Sequence, residues 1–595
     1  MLASRSAAAR WLKRGMMGLA GVSFAVAAYD CLFGGFSFAP FGVRISSWEA
    51  YKPFRNGVVC ACVALWLHDL ESEAAASWFW IARWSRPIAA VAVGVSCVMA
   101  LRFGVFVAGG ADAYGYVSQA LLWASGTPTP PDPLAALAPA LGPSIVPIGY
   151  RPSLKPGRNV PFYAPGLPLA MAVASKIAGP SAVYIVVPIF GGAAVWLTYL
   201  LAERTFGRRT GLLAAILLTC SPIFLFQALE PMSDVPATAW WLAAWLFAIS
   251  DGAPAAFLAG LAASASVVTR PNLVPLALVL SGAVILGRPR VARAVWFAVG
   301  LVPGCLAIAA LNEAFYGTPL SSGYGPLATL FEWSRVSSNL HRYPVWLVEL
   351  HTPVILLALA APFTGRRELD APFTHRDSRA VAALMIAFSA VLLLCYVFWV
   401  PYDNWPFLRF LLPAIPLLLI LTSAVVVTLL RRAPLPYRTS GLFVIGILLG
   451  CWCLVKAQSL GVFATADVEH RYVAVGEYIG RAVPPNAVFL TVMESGSVRF
   501  YGHRVTVRWD MLEPHGLDWA LDVLRGAGYV PYILLESWEE ELFRTRFGSH
   551  GAVGRVDWPA AFHYRGPIDV RIYSVDDRAG YLAGEDIVTQ QIPAR

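Results

Sequence analysis

Along most of the chain, long apolar runs alternate with short polar breaks, and the pattern changes near residue 460. Apolar runs cover 15–36, 56–67, 88–108, 182–202, 212–228, 237–249, 255–268, 273–286, 294–311, 345–362, 381–400, 411–430 and 442–460. A helix needs about 20 apolar residues to cross a hydrocarbon core, so these runs predict about thirteen transmembrane helices. The 56–67 run is short and must tilt or begin earlier. After residue 465 no run is long enough to span. Amphipathic stretches (AVGEYIGRAV, LDWALDVLRGAG, SWEEELFRTRFG) there alternate with short apolar ones (AVFLTVM, RVTVRW, YVPYILLE, VRIYSV). That is the pattern of a small α/β domain. The expected fold is a mainly α-helical polytopic membrane protein with a small soluble C-terminal α/β domain. Its parts are two N-terminal helices and a cytoplasmic loop (1–87), a membrane core (88–462) and the C-terminal domain (463–595).

Composition agrees with this reading. Of 595 residues, 57% are hydrophobic and 14% charged, and the mean hydropathy is +0.61. The net charge of +9 does not point to nucleic acid, because the basic residues cluster in short breaks between apolar runs. The clusters are Arg83/Arg86, Arg204/Arg208/Arg209, Arg288/Arg290/Arg293, Arg366/Arg367/Arg376/Arg379 and Arg431/Arg432/Arg438. Such clusters mark cytoplasmic loops. By parity Asp112, Glu230, Asp234, Arg270, Arg409 and everything after Leu460 share the opposite face. The basic, then apolar, N-terminus reads as a retained first helix, with Asp30 awkwardly placed near its end. The nine cysteines lie in or beside apolar runs. They read as small membrane residues, not as a disulfide framework or a zinc site.

Several polar residues stand where a run ends. Asp112 leaves the 88–108 run in GGADAYGYVSQALL, and as a bland alternative it is a helix N-cap. Glu230 and Asp234 follow the fifth run in FQALEPMSDVPATAWW, where Pro231 and Pro236 argue against one continuous helix. Asp234 or Ser233 also suits a cap there. Arg270 sits between two runs, where a cation must snorkel or meet an anion. Asp403, Trp405 and Arg409 occupy another such junction. A guanidinium suits phosphate oxygens, whereas interfacial Trp is expected at any membrane boundary. Histidines form no HxxxH or HExxH pattern, and His341 and His351 read as surface or interfacial residues.

Four segments in fixed order carry a family resemblance. They are ADAYGYVSQALL, FYAPGLPLAMAVASKIAG, SPIFLFQALEPMSDVPATAWW and LRFLLPAIP. Together they resemble the GT-C superfamily of polyprenyl-phosphate-sugar glycosyltransferases. The likeness is to the protein O-mannosyltransferase-like branch (glycosyltransferase family 39-like), which includes the bacterial aminoarabinose transferase of lipid A modification. The likeness covers about 88–460. Many relatives carry an Asp-Glu pair in the first loop, but here Ala113 follows Asp112. That weakens the case for a divalent metal, and no cofactor is called for. Two helices also precede the core, without an assigned role.

The resemblance implies transfer of a sugar from a polyprenyl phosphate to an envelope acceptor (glycan, lipid or protein) on the non-cytoplasmic face. The setting would be a bacterial inner membrane, with the C-terminal domain on the periplasmic side. Phosphate is a good leaving group, so cations matter more than a general acid. Lys155, Arg158, Arg270 and Arg409 are the candidates for binding it. A carboxylate must take the acceptor's proton; Asp112 is the candidate, and a single displacement would invert the anomeric carbon. Tyr116, Tyr163, Glu230 and Asp234 are candidates for contacting sugar or acceptor. A transporter or lipid flippase is the rival reading, although transporters favour ionisable residues at the midplane and internal repeats. A non-enzymatic envelope assembly protein is a third.

Overall fold

The computed structural model describes residues 2–39, 45–66, 71–326, 331–364 and 377–593. Among the described residues, six helices are long and apolar enough to cross a membrane. They are Ser77–Arg102, Pro180–Thr205, Arg290–Tyr316, Ser378–Val397, Trp405–Leu430 and Tyr437–Ser459. Two bent pairs raise the number to eight: Arg208–Cys220 with Pro222–Leu229 (60°), and Trp333–His351 with Pro353–Thr364 (106°). Pro222 and Pro353 begin the second member of each pair. A missing N–H is tolerated at that position but cannot continue the helix before it.

The count of thirteen is therefore not reached by length. The runs at 237–249, 255–268 and 273–286 form helices of 15, 17 and 11 residues. At about 1.5 Å per residue the longest reaches roughly 25 Å, short of a core of about 30 Å. The N-terminal helices Leu2–Phe33 and Tyr51–Trp66 pack on each other through Phe24 and Phe54, whose rings are 5.6 Å apart. Asp30 is buried between them and the strand Ile45–Ser47, where it accepts a hydrogen bond from Ser47.

Several residues of the basic breaks are paired inside the fold. Buried Glu203 pairs with Arg86 (3.1 Å) and Arg208 (3.2 Å). Arg293 is fully buried and donates to the carbonyls of Ala248, Gly252 and Val284 at 2.7–2.9 Å. Two of these close helix C-termini, a common use of a cation. Arg209, also buried, donates to the Trp78 carbonyl. Arg366, Arg367 and Arg376 lie outside the described residues.

After residue 465 a six-stranded sheet forms, flanked by helices. Edge to edge the strands are Gln590–Ile592, Phe562–Tyr564, Val570–Ser574, Val530–Glu536, Ala487–Leu490 and Val505–Val507. The last three are parallel, while Val570–Ser574 runs antiparallel to both its neighbours. The three longer strands, and Val505–Val507, fall on the apolar stretches of the sequence. Phe562–Tyr564 and Gln590–Ile592 have three residues each, too few for alternation to show.

This sheet packs against the segment that follows Asp112. Tyr114, Leu134, Leu141, Ile145, Val146 and Tyr150, from the loop after Asp112, share one buried cluster with Val488, Leu490, Val507 and Trp509. Arg499 reaches across to Asp132 (3.3 Å), which also accepts from Asn159 (2.7 Å).

Candidate active site

Asp112 is the first residue of the helix Asp112–Ala124, one position past the N-cap, and makes no capping bond. The N-cap alternative is thereby set aside. Its carboxylate instead pairs with Arg409, Nη2 to Oδ2 at 2.8 Å. Burial alone would raise the Asp112 pKa. The Arg409 charge leads the effects that outweigh burial and hold the carboxyl below its ordinary range.

Asp234 repeats the arrangement. It opens the helix Asp234–Ala248 after Ser233, whose side chain does not cap either. Asp234 pairs with Arg270. The Ser233 hydroxyl shares a 2.8 Å hydrogen bond with Tyr116. Both aspartates also face the positive end of their own helix, which favours an anion. The helix break expected between Glu230 and Asp234 is present: one helix ends at Leu229 and the next begins at Asp234.

Aromatic residues pack around the two pairs. Arg270 lies 5.6 Å from the Phe410 ring centroid, and Arg409 lies 5.4 Å from the same ring. A cation over a ring face is stabilised by its quadrupole. Tyr116 and Tyr163 rings are 4.7 Å apart. Gly115 permits this, since a Cβ there would stand 2.3 Å from the Tyr163 ring. Gly166, in the Tyr-Ala-Pro-Gly turn, likewise lets the chain touch Thr269, next to Arg270.

Glu230 joins the group from the break after Leu229. Burial, with Glu469 nearby, pushes its pKa up to about 8. Arg409 donates through Nη1 to the Met232 sulfur at 3.0 Å, while its Nε is buried with no partner among the described residues. A buried guanidinium N–H without an acceptor is uncommon.

Not every candidate joins the cluster. Lys155 and Arg158 lie exposed on the hairpin Tyr150–Pro152/Asn159–Pro161, and Arg158 donates to the Thr129 carbonyl. The hairpin leads straight into Tyr163, but neither cation pairs with the carboxylates. Asp403 is exposed and pairs with Arg342. His351 is buried, not interfacial, and its Nε2 lies 2.8 Å from the Ser221 hydroxyl. Sequence reading missed Met232, Phe410 as a shared aromatic floor, and Tyr324, which packs edge-on to Phe162 (4.6 Å). The Arg-aromatic pattern at Arg409-Phe410 was the available signal for Phe410; Tyr324 has none. Among the described residues no group of three or more His, Cys, Asp or Glu is arranged to hold a metal ion.

Residues 160–312 match the family described as dolichyl-phosphate-mannose-protein mannosyltransferase. ArnT from Cupriavidus metallidurans, bound to undecaprenyl phosphate, superposes with a TM-score of 0.50 at 12% identity, over 81% of this chain and 97% of that one. The apo oligosaccharyltransferase of Archaeoglobus fulgidus superposes with a TM-score of 0.50 at 10% identity, over 82% of this chain and 74% of that one. The chain has the GT-C fold. No curated protein matches the sequence. The family match contains Tyr163, Glu230, Asp234 and Arg270 but not Asp112 or Arg409. Those last two reach the site from before and after the matched stretch.

Proposed function

We propose that the protein transfers a sugar from a polyprenyl phosphate carrier to a hydroxyl or similar nucleophile of an envelope acceptor. The observation that carries the reading is the Asp112–Arg409 pair. An ionised carboxylate and a guanidinium with a spare buried N–H meet beside aromatic rings. Arg409, with Arg270 behind it, takes the charge that builds on the departing phosphate. Asp112 takes the acceptor proton as the new glycosidic bond forms. The bond from the anomeric carbon to the phosphate breaks as that bond forms, a single displacement with inversion that releases polyprenyl phosphate. Tyr116, Tyr163 and Glu230 line the sugar or acceptor side, and Asp234 holds Arg270 in place. Lys155 and Arg158 draw the anionic headgroup toward the site. The reaction face and the C-terminal domain lie outside the cytoplasm, in a bacterial plasma membrane.

The test is a sugar-transfer assay on the full chain in nanodiscs. The donors are undecaprenyl phosphomannose and an undecaprenyl-phosphate-linked aminopentose, offered with total envelope lipid and glycan as acceptors. Acceptor-dependent release of undecaprenyl phosphate supports the reading. Movement of labelled lipid between leaflets with no release from either donor would replace it with the flippase.

A further inference from the structure

The turn that delivers Asp112 to Arg409 is held from outside the membrane core. Gly109 and Gly110 precede it, and both are covered by the C-terminal domain. A Cβ on Gly109 would lie 2.1 Å from a ring carbon of Tyr472. Gly110, at φ +56°, presents its face to the Tyr472 hydroxyl and the Met493 methyl, at 3.4 and 3.7 Å from where a Cβ would stand. One residue earlier, the Ala108 N–H donates to the Tyr501 hydroxyl at 2.8 Å. Three consecutive residues before the carboxylate helix are therefore set by side chains 360 or more positions later in the sequence.

Tyr472 is itself fixed. It is 1% exposed, and its hydroxyl accepts from Arg471 Nη2 at 2.7 Å. The same guanidinium stacks 4.1 Å over the Tyr472 ring. Arg471 is anchored by Glu536 (Nε to Oε1, 3.0 Å), Glu469 (3.1 Å) and the Val468 carbonyl (2.9 Å). Behind it, Glu539 accepts from the backbone N–H of Glu536 (3.0 Å) and of Met493 (3.3 Å). The sheet thus ties both contacts on the Gly109–Gly110 turn into one hydrogen-bonded frame.

We propose that Tyr472, braced by Arg471, is a positioning residue for Asp112: the C-terminal domain grips the Gly109–Gly110 turn and sets the carboxylate against Arg409. This rests on the reading of Asp112 as the group that takes the proton. A misplacement of about 1 Å at such a group costs on the order of 10²-fold in rate.

Gly109 provides the test. Its φ lies outside the left-handed region, so Ala is allowed by the backbone and opposed by the Tyr472 ring. The full chain is compared as wild type, Gly109→Ala, Tyr472→Ala, the double variant and Tyr472→Phe. Hydrogen exchange of amides 108–116 and kcat with undecaprenyl phosphomannose, or with the aminopentose donor if that is the one turned over, are the two readouts. Tyr472→Ala should speed exchange in 108–116 by about 10-fold and lower kcat on the order of 10²-fold, with donor KM moved little. Gly109→Ala should do likewise alone and add nothing in the Tyr472→Ala background, because contacting sites are non-additive. Tyr472→Phe, which keeps the ring on Gly109, should retain most of kcat. If Tyr472→Ala does not fold, Tyr472→Leu takes its place in the cycle. Unchanged exchange and kcat in the Tyr472 variant, or losses that multiply in the double variant, would overturn the proposal. Wild-type turnover by Asp112→Asn would refute the proton-acceptor reading while leaving the exchange protection and the coupling in place, so the two failures are distinguishable.

Discussion

The two aspartates that open Asp112–Ala124 and Asp234–Ala248 each face an arginine and the positive end of a helix, but their burial differs. The Asp234 side chain is 3% exposed and its Arg270 partner 14%, against 23% and 13% for Asp112 and Arg409. Removing one partner of a buried pair strands the other charge and costs about 3–5 kcal/mol. Asp234→Ala should therefore lower thermal stability sharply, as melting in detergent would show, whereas Asp112→Asn keeps an amide oxygen that can still accept from Arg409 and should cost much less. Arg409→Ala should weaken binding of undecaprenyl phosphate more than Arg158→Ala does, since Arg158 is exposed and already bonded to Thr129. Equal losses, measured by titration into nanodiscs, would move the phosphate away from Arg409. Glu230 gives a pH signature. Its pKa is about 8, raised first by burial, so it is mostly neutral at pH 7 and gains charge as pH rises through 8. The new negative charge sits beside Asp112 and the donor phosphate, so the rate should fall above about pH 8. Glu230→Gln should remove that fall, and an unchanged profile would exclude Glu230 from the site.

At the level of elements, what the sequence makes legible depends on the length of the repeating signal. The apolar runs fall mostly on helices, although 88–108 outlasts its helix at Arg102, and the four strands of the C-terminal sheet with clear apolar stretches appear where expected. Asp112, Glu230, Asp234, Arg270 and Arg409 were legible because each stands near the end of a run, where an ionisable group needs a reason to be, and Tyr116 and Tyr163 because they lie in the segments that carry the resemblance. Their pairing was not legible, because Asp112 and Arg409 are brought together by packing across the whole membrane core. Lys155 and Arg158 were drawn in by charge alone, and charge on a solvated hairpin carries little geometric information. The bends at Cys220/Pro222 and His351/Pro353 show the same limit: proline marks the break but not what holds it. Here Ser221 and His351 link one bend to the other. His351→Phe would leave a buried hydroxyl unsatisfied, a cost of about 1–3 kcal/mol. Its melting point should fall, and Ser221→Ala should add little on top. Additive losses would mean that the two bends are held separately.

Across the whole molecule, the loop after Asp112 belongs as much to the C-terminal sheet as to the membrane helices, through Tyr114, Ile145, Tyr150 and the Asp132–Arg499 pair. A composition shift near residue 460 suggests a boundary, but it cannot show that residues 110–160 cross it. Since Asp112 and the sheet are packed together, reporter fusions after Gly126 and Thr465 should report the same side of the membrane, and the basic breaks predict that side to be the exported one. Opposite signals would break the span assignment. The most direct measurement is the rate of Asp112→Asn with donor and acceptor saturating. Asn keeps the size but cannot take a proton, and as a neutral partner it holds Arg409 less tightly. The expected result is a stable protein whose kcat falls on the order of 10²-fold or more, with a donor KM that is unchanged or lower. Near-wild-type kcat in that variant would contradict the account and leave Glu230 or Asp234 as the group to test next.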